Sequence, residues 1–278
     1  MSRSRLLETQ GFNQLAEARD GYYLYNQNDI YVGGAIEKYG EYSALEMHTL
    51  KQLCSPGDIV IEIGANIGTH TVSLARHVGN QGRILAIEPQ RLVFQTLCAN
   101  VALNSLQNVD CYWAAVGDKE GAITVPEPDP NLQTNLGGIS LVNAQQGVQV
   151  ECLTLNRFMD LPRVKMIKID VEGMETEVIT GGLQLLQKFK PFLYVENDRL
   201  DRSETLMKLI SGLGYRMYWD MPFLFNPDNY YAEQENLYPT VVSVNMICIH
   251  RDANINIEGY EEITDFTSHP MHTAAAQK

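Results

Sequence analysis

Apolar positions along this chain alternate between two rhythms. Short runs rich in isoleucine, valine and leucine occupy 58–63, 83–87, 109–116, 164–170 and 192–196. Between them, 69–78, 92–103, about 175–188 and about 203–213 place apolar residues at helical spacing. Compact apolar runs read as strands buried on both faces, and the alternation predicts βαβ units around a parallel sheet. Strand-like runs at 215–219 and 241–250 complete the series.

Two stretches break this rhythm. Residues 117–155 carry Pro126, Pro128, Pro130 and the pair Gly137-Gly138, with a β-like run at 148–155. They read as an insertion of short antiparallel strands and loops. Residues 220–240 form an aromatic, proline-containing loop, long enough to serve as a lid. Ahead of the first strand, two tyrosine-rich runs flank Asn26 and Asn28 and predict a hairpin. Residues 41–54 predict a helix with Leu45, His48 or Thr49, and Leu53 on its inner face, stopped by Ser55-Pro56-Gly57. The expected division is an extension over 1–54 that caps a ligand pocket, a main domain over 55–252 and a polar tail over 253–278 that frays.

Composition narrows the function classes. Hydrophobic residues make up 45% of the 278, which is enough to bury a core. The 34 acidic residues outnumber the 21 basic ones, for a net charge of −13, and no Lys/Arg run appears. A duplex nucleic-acid partner calls for a basic stripe, so a neutral or cationic small molecule fits better. No apolar run is long enough to cross a membrane, and the start, MSRSRLLETQGF, lacks the apolar centre of a signal peptide. Five cysteines without a CxxC pair read as reduced thiols, hence a cytoplasmic protein.

The sharpest local signal is IEIGANIG at 61–68, where a strand runs into a glycine turn and then a helix. Gly64 permits the sharp turn, and Gly68 permits close approach of the next helix to a ligand. The G-x-x-x-G spacing is not the dinucleotide fingerprint, and no G-K-[ST] follows. An adenosine ligand without phosphates fits best. Glu88 lies twenty residues past Gly68, at a strand end, where a carboxylate accepts from ribose hydroxyls. Asp118, after the third strand, is a candidate for an adenine amino group or simply a solvated turn residue.

EIGANIG, IEP, LCANVALN, AAVGD and IKIDVEGME follow one another in the order of the FkbM-type methyltransferases, which the chain resembles from about Tyr39 to Ile249. That resemblance implies a Rossmann-like α/β fold of class I S-adenosylmethionine-dependent methyltransferases. Its seven strands run 3-2-1-4-5-7-6, with the last antiparallel. It also implies binding of S-adenosylmethionine through Glu62, Gly64, Asn66, Gly68 and Glu88. Ala65, Thr69, His70, Pro89, Ala115 and Val116 complete the expected contacts, and Tyr39 and Glu41 lie over the pocket. Glu41 reads equally well as a residue favouring a helix N-terminus.

Asp170, Glu172 and Glu196 end the fourth and fifth strands, facing the same crevice as the glycine turn. They are the expected reacting centre, with Asp170 also a candidate for the methionine amino group. By position, Asp170, Glu196 and Asn197 match the magnesium ligands of catechol-type O-methyltransferases. A metal-free centre with a carboxylate base is the competing expectation. The expected activity is methylation of a hydroxyl on a small molecule, sugar or natural-product scaffold. N-methylation is the nearest alternative. An NAD-dependent oxidoreductase and a non-catalytic S-adenosylmethionine-binding protein stand further off. The tyrosine-rich start is a candidate contact for a homodimer.

Overall fold

The computed structural model describes residues 10–142, 144–255 and 257–271. It opens with a hairpin of β1 (Asn13–Ala18) and β2 (Gly21–Asn26). The hairpin therefore lies one run earlier than the tyrosine pattern predicts. The second tyrosine run instead begins α1 (Val32–Tyr39). The Asp29 carboxylate accepts from the backbone N–H groups of Tyr31 at 3.2 Å and Gly33 at 3.3 Å, which pairs donors that a starting helix leaves open. In α2 (Ala44–Leu53) the inner face carries Glu46, Met47, Thr49, Leu50 and Leu53, while Leu45 points out. Thr49 and Leu53 lie on the expected face, while Leu45 and His48 are exposed.

The main sheet and its helices follow in alternation. They are β3 (Ile59–Ile63), α3 (Thr69–Val78), β4 (Arg83–Ile87), α4 (Arg91–Leu103) and β5 (Val109–Tyr112). After β6 (Ala115–Val116), β7 (Gly121–Val125) and β8 (Val148–Leu153) come β9 (Met166–Ile169), α5 (Glu175–Thr180), α6 (Leu183–Phe189) and β10 (Phe192–Glu196). The series closes with α7 (Leu200–Gly212), β11 (Tyr215–Asp220) and β12 (Asn245–His250). Seven strands pair in the order β11-β12-β10-β9-β3-β4-β5, and β12 is antiparallel to both of its neighbours. This is the expected class I methyltransferase order. Ile61, Ile63 and Ile167 pack with Val178 and Leu206 on one face; Val60 and Met166 pack with Leu50, Leu74 and Leu97 on the other. Both faces are thus apolar, as a helix-covered parallel sheet requires.

Several boundaries differ from the sequence expectations. The run 109–116 splits, because its end leaves the main sheet and pairs as β6 with β8 in a separate sheet of order β6-β8-β7. The helix expected over 175–188 breaks at Gly181-Gly182, where a Cβ on Gly181 would meet the Gly117 carbonyl at 2.0 Å. The last strand starts at Asn245, which leaves 241–244 free to line a cavity. Loop 220–240 packs its Phe225 and Tyr238 rings against Tyr39 of α1. The tail is packed as far as it is described, with Ile263 buried and His269 hydrogen-bonded to the Asn197 carbonyl at 2.8 Å. The terminal HTAAAQK lies outside the described residues. Among the described residues no helix is long and apolar enough to cross a membrane.

Candidate active site

The carboxyl ends of β3, β4, β9 and β10 open into one cavity of about 400 Å³. This is where open α/β sheets bind their ligands, because the loops diverge there. The turn after β3 is held down by Gly64 and Ala65, whose N–H groups both donate to the Ile87 carbonyl at 3.0 Å. Gly64 takes φ 80° and Asn66 takes φ 50°. That twist aims the Asn66 N–H at Glu88 Oε2, 2.9 Å away, while Gln90 N–H donates to Glu88 Oε1 at 2.8 Å. Burial pushes the Glu88 carboxyl up to about 7, against the pull of these two donors.

At the far side stand five ionisable groups. Lys168 Nζ lies 2.8 Å from Asp170 Oδ2, and the lysine is only 2% exposed. Burial alone would raise the Asp170 carboxyl, but Lys168 outweighs it and holds the group below the usual range. Glu172, in the left-handed region at φ 55°, pairs with Arg199. Burial and the neighbouring Asp170 raise its carboxyl to about 7, with Arg199 opposing. Burial, Asp170 and Glu172 push the Glu196 carboxyl well above the usual carboxylate range. A carboxyl held low and one pushed high thus flank a third raised to about 7.

His70 and Glu46 form the wall between. Burial and Lys168 depress the His70 imidazole to about 3, so it is neutral. Its Nδ1 is 3.9 Å from Glu46 Oε1, and Ser43 Oγ donates to Glu46 Oε2 at 2.9 Å.

The cavity brings together Gly64, Ala65, Asn66, Thr69, His70, Glu88, Pro89, Ala115, Val116, Asp170, Glu172 and Glu196. Other expected residues face elsewhere. Glu62 is buried with its Oε2 on Thr71 Oγ1 at 2.6 Å. Gly68 faces Leu97, whose Cδ1 would lie 2.6 Å from an added Cβ, so it serves the packing of α3 on α4. The Tyr39 hydroxyl donates to the Glu235 carbonyl and accepts from Leu237 N–H. Glu41 accepts from Arg19, Asn226 and Tyr230. Both fasten loop 220–240 rather than line the cavity. Asp118 is exposed outside it.

The expected magnesium ligands are also rearranged. The Asn197 amide turns to Met246 Sδ at 3.3 Å and stays out of the cavity. Glu172 takes its place beside Asp170 and Glu196, with one oxygen of each within 4.8 Å of the others. Lys168 already occupies Asp170 and Arg199 occupies Glu172. The Asp-Glu-Asn donor set is not assembled.

Sequence reasoning missed Glu46, Lys168, Gln90 and Arg199 as parts of this cavity. Gln90 Nε2 donates to the Leu136 carbonyl at 2.7 Å and so ties the insertion to the rim. Lys168 carried a usable signal: a lysine inside a four-residue apolar strand needs a buried anion.

Comparison with known proteins bears on the family. The FkbM methyltransferase domain matches residues 62–217, more than half of the chain. Methyltransferase 1 of Beauveria bassiana (strain ARSEF 2860) is 27% identical over 143 residues, covering 44% of this chain and 57% of that protein. The chain therefore spans little more than half the length of this relative. Among solved structures, the FkbM methyltransferase of Methylobacillus flagellatus KT aligns with TM-score 0.43 and 17% identity over 68% of this chain and 43% of that one. Precorrin-6y C5,15-methyltransferase of Geobacter metallireducens GS-15 aligns at 0.48 and 15%, over 75% and 86%. Fibrillarin of Aeropyrum pernix, solved with natively bound S-adenosyl-L-methionine, aligns at 0.44 and 15%, over 90% and 98%. These structural likenesses are too distant to carry any residue role across; the extent of the domain match shows that the chain belongs to the FkbM methyltransferase family.

Proposed function

We propose that the protein transfers a methyl group from S-adenosylmethionine to a hydroxyl of a small-molecule acceptor. The observation that carries this reading is the shared cavity. The Gly64 turn and Glu88 stand on one side, and Asp170, Glu172 and Glu196 on the other. Its volume of about 400 Å³ is in the range of small-ligand sites. The donors fit the cofactor: Glu88 keeps a lone pair on each oxygen beyond those used by Asn66 and Gln90, as a ribose diol needs. An ionised Asp170 suits a cationic amino group. When bound, the cofactor supplies an activated methyl on a sulfonium centre.

The chain's own residues then have three tasks. Glu88 and the turn at 64–66 hold the ribose end. Asp170, kept ionised by Lys168, fixes the cationic end. Glu172 takes the hydroxyl proton, since a carboxyl near 7 is matched to that work at neutral pH. The insertion, tied down through Gln90 and Leu136, and the loop held by Glu41 restrict water at the rim. The reading needs no metal, because Lys168 supplies positive charge at Asp170.

Calorimetric titration with S-adenosylhomocysteine, beside NAD, tests the cofactor. Micromolar binding of the former alone is expected. Transfer of labelled methyl to hydroxylated acceptors, lost in Asp170→Ala with the fold retained, tests the reaction. Label found only on nitrogen would replace the hydroxyl by an amine.

A further inference from the structure

The position of Lys168 is unusual for a lysine. It lies in the centre of the main sheet, between Glu62 of β3 and Tyr194 of β10 in register. Side chains at paired positions of neighbouring strands share a face, so Glu62 and Lys168 are side-by-side partners. Asp170 follows two residues on, and Nζ reaches its Oδ2 at 2.8 Å. Glu46 of α2 adds a third carboxyl to the ammonium's surroundings. Burial opposes charge on Lys168, but Asp170, Glu46 and Glu62 together hold its ammonium above the ordinary range.

We propose that Lys168 is the resident cation of this site, holding Asp170 in place and occupying the electrostatic position that a divalent ion would otherwise take. Three observations support the assignment. The lysine is only 2% exposed at the cavity wall and sits 2.8 Å from Asp170, so moving it aside for an incoming ion would break a buried ion pair. One Asp170 oxygen is already committed to it. The amide that would complete a hard-oxygen donor set, Asn197, faces Met246 instead. A dication brought to the oxygens of Asp170, Glu172 and Glu196 would stand close to a fixed positive charge in a poorly screened interior. Lys168 is thus a positioning residue: it acts through Asp170. Its catalytic meaning, methyl transfer without a metal, rests on the reading given above.

The test is Mn²⁺ binding, followed by the electron paramagnetic resonance signal of the free ion, on the full chain near pH 7. The wild-type protein should leave the signal unchanged at millimolar Mn²⁺. Lys168→Met should gain a Mn²⁺ site, binding roughly tenfold or more tightly than the wild type, because the anions lose their counter-ion. Lys168→Met with Asp170→Asn should lose that site again, and Lys168→Arg, which keeps the charge, should not form it. If Lys168→Met does not fold, the wild type decides alone. Mn²⁺ uptake that Asp170→Asn abolishes would overturn the assignment, and no uptake would support it. S-adenosylhomocysteine binding by the wild type is measured in parallel. Its failure would overturn the methyl-transfer reading and leave the Lys168 assignment standing.

Discussion

A Cβ on Gly64 would stand 1.7 Å from the carbonyl oxygen of Asp170. The glycine turn after β3 and the acidic end of β9 are therefore in direct backbone contact, and the two halves of the cavity are built on each other. Gly64→Ala must displace backbone, and it also places a side chain at φ 80°. A loss of at least about 2 kcal/mol in stability is expected, with loss of S-adenosylhomocysteine binding. Gly68→Ala is the informative comparison. Its φ of 86° carries a similar backbone strain, but its added Cβ comes closest to the tip of the flexible Leu97 side chain instead of to backbone. Urea unfolding of both variants should rank Gly64→Ala as the more damaging.

Glu41 holds the aromatic loop to the N-terminal segment. It accepts from Arg19 Nε at 2.6 Å, Asn226 Nδ2 at 2.9 Å and Tyr230 N–H at 2.9 Å. Glu41→Ala leaves these donors unpaired, at a local cost of about 1–3 kcal/mol. Amide exchange over 226–231 should quicken markedly, while S-adenosylhomocysteine affinity changes by less than about threefold. A large loss of affinity with unchanged exchange would return Glu41 to the cofactor pocket.

These two residues mark what the sequence could and could not reveal. The alternation of strands and helices and the glycine turn were legible because period and punctuation are local: an apolar run, Gly64, then a helix. The order of the strands came only with the resemblance to the FkbM-type methyltransferases. Asp170, Glu172, Glu88 and Glu196 were legible because strand ends define the crevice. The fates of Tyr39, Glu41 and Glu62 were not, since each is decided by a partner far along the chain or on another element, such as Glu235, Tyr230 or Thr71. Asn197 was misplaced for a similar reason, because Met246 and the tail around His269 claim it. Glu46 was hidden because its burial depends on a lysine more than a hundred residues away, whereas helical periodicity treats a glutamate as outward-facing.

The Glu172 carboxyl, raised to about 7 by burial and by Asp170, sets a pH dependence for catalysis. A base works deprotonated, so the rate at limiting substrate should rise with pH through about 7 and then level. Arg199 opposes this shift. Arg199→Gln should therefore move the rising limb to higher pH, while Glu172→Gln should remove it and most of the turnover. A limb unmoved by Arg199→Gln would assign the titration to another group.

Glu62 gives the opposite kind of dependence, one of stability. Burial raises its carboxyl to about 7 from an ordinary 4.5, with Lys168 and Thr71 pulling the other way. Between those values the folded chain keeps a proton that the unfolded chain releases. Stability from this group is complete below about 4.5 and is lost as pH rises through about 7. The slope is at most about 1.4 kcal/mol per pH unit within that window. Asp170, held low by Lys168, loses its contribution only in acid below this window. Urea unfolding at pH 5, 6 and 7 should show Glu62→Gln declining less steeply than the wild type, because an amide has no proton to lose. Parallel curves would mean that Glu62 stays ionised throughout, as a full partner of Lys168.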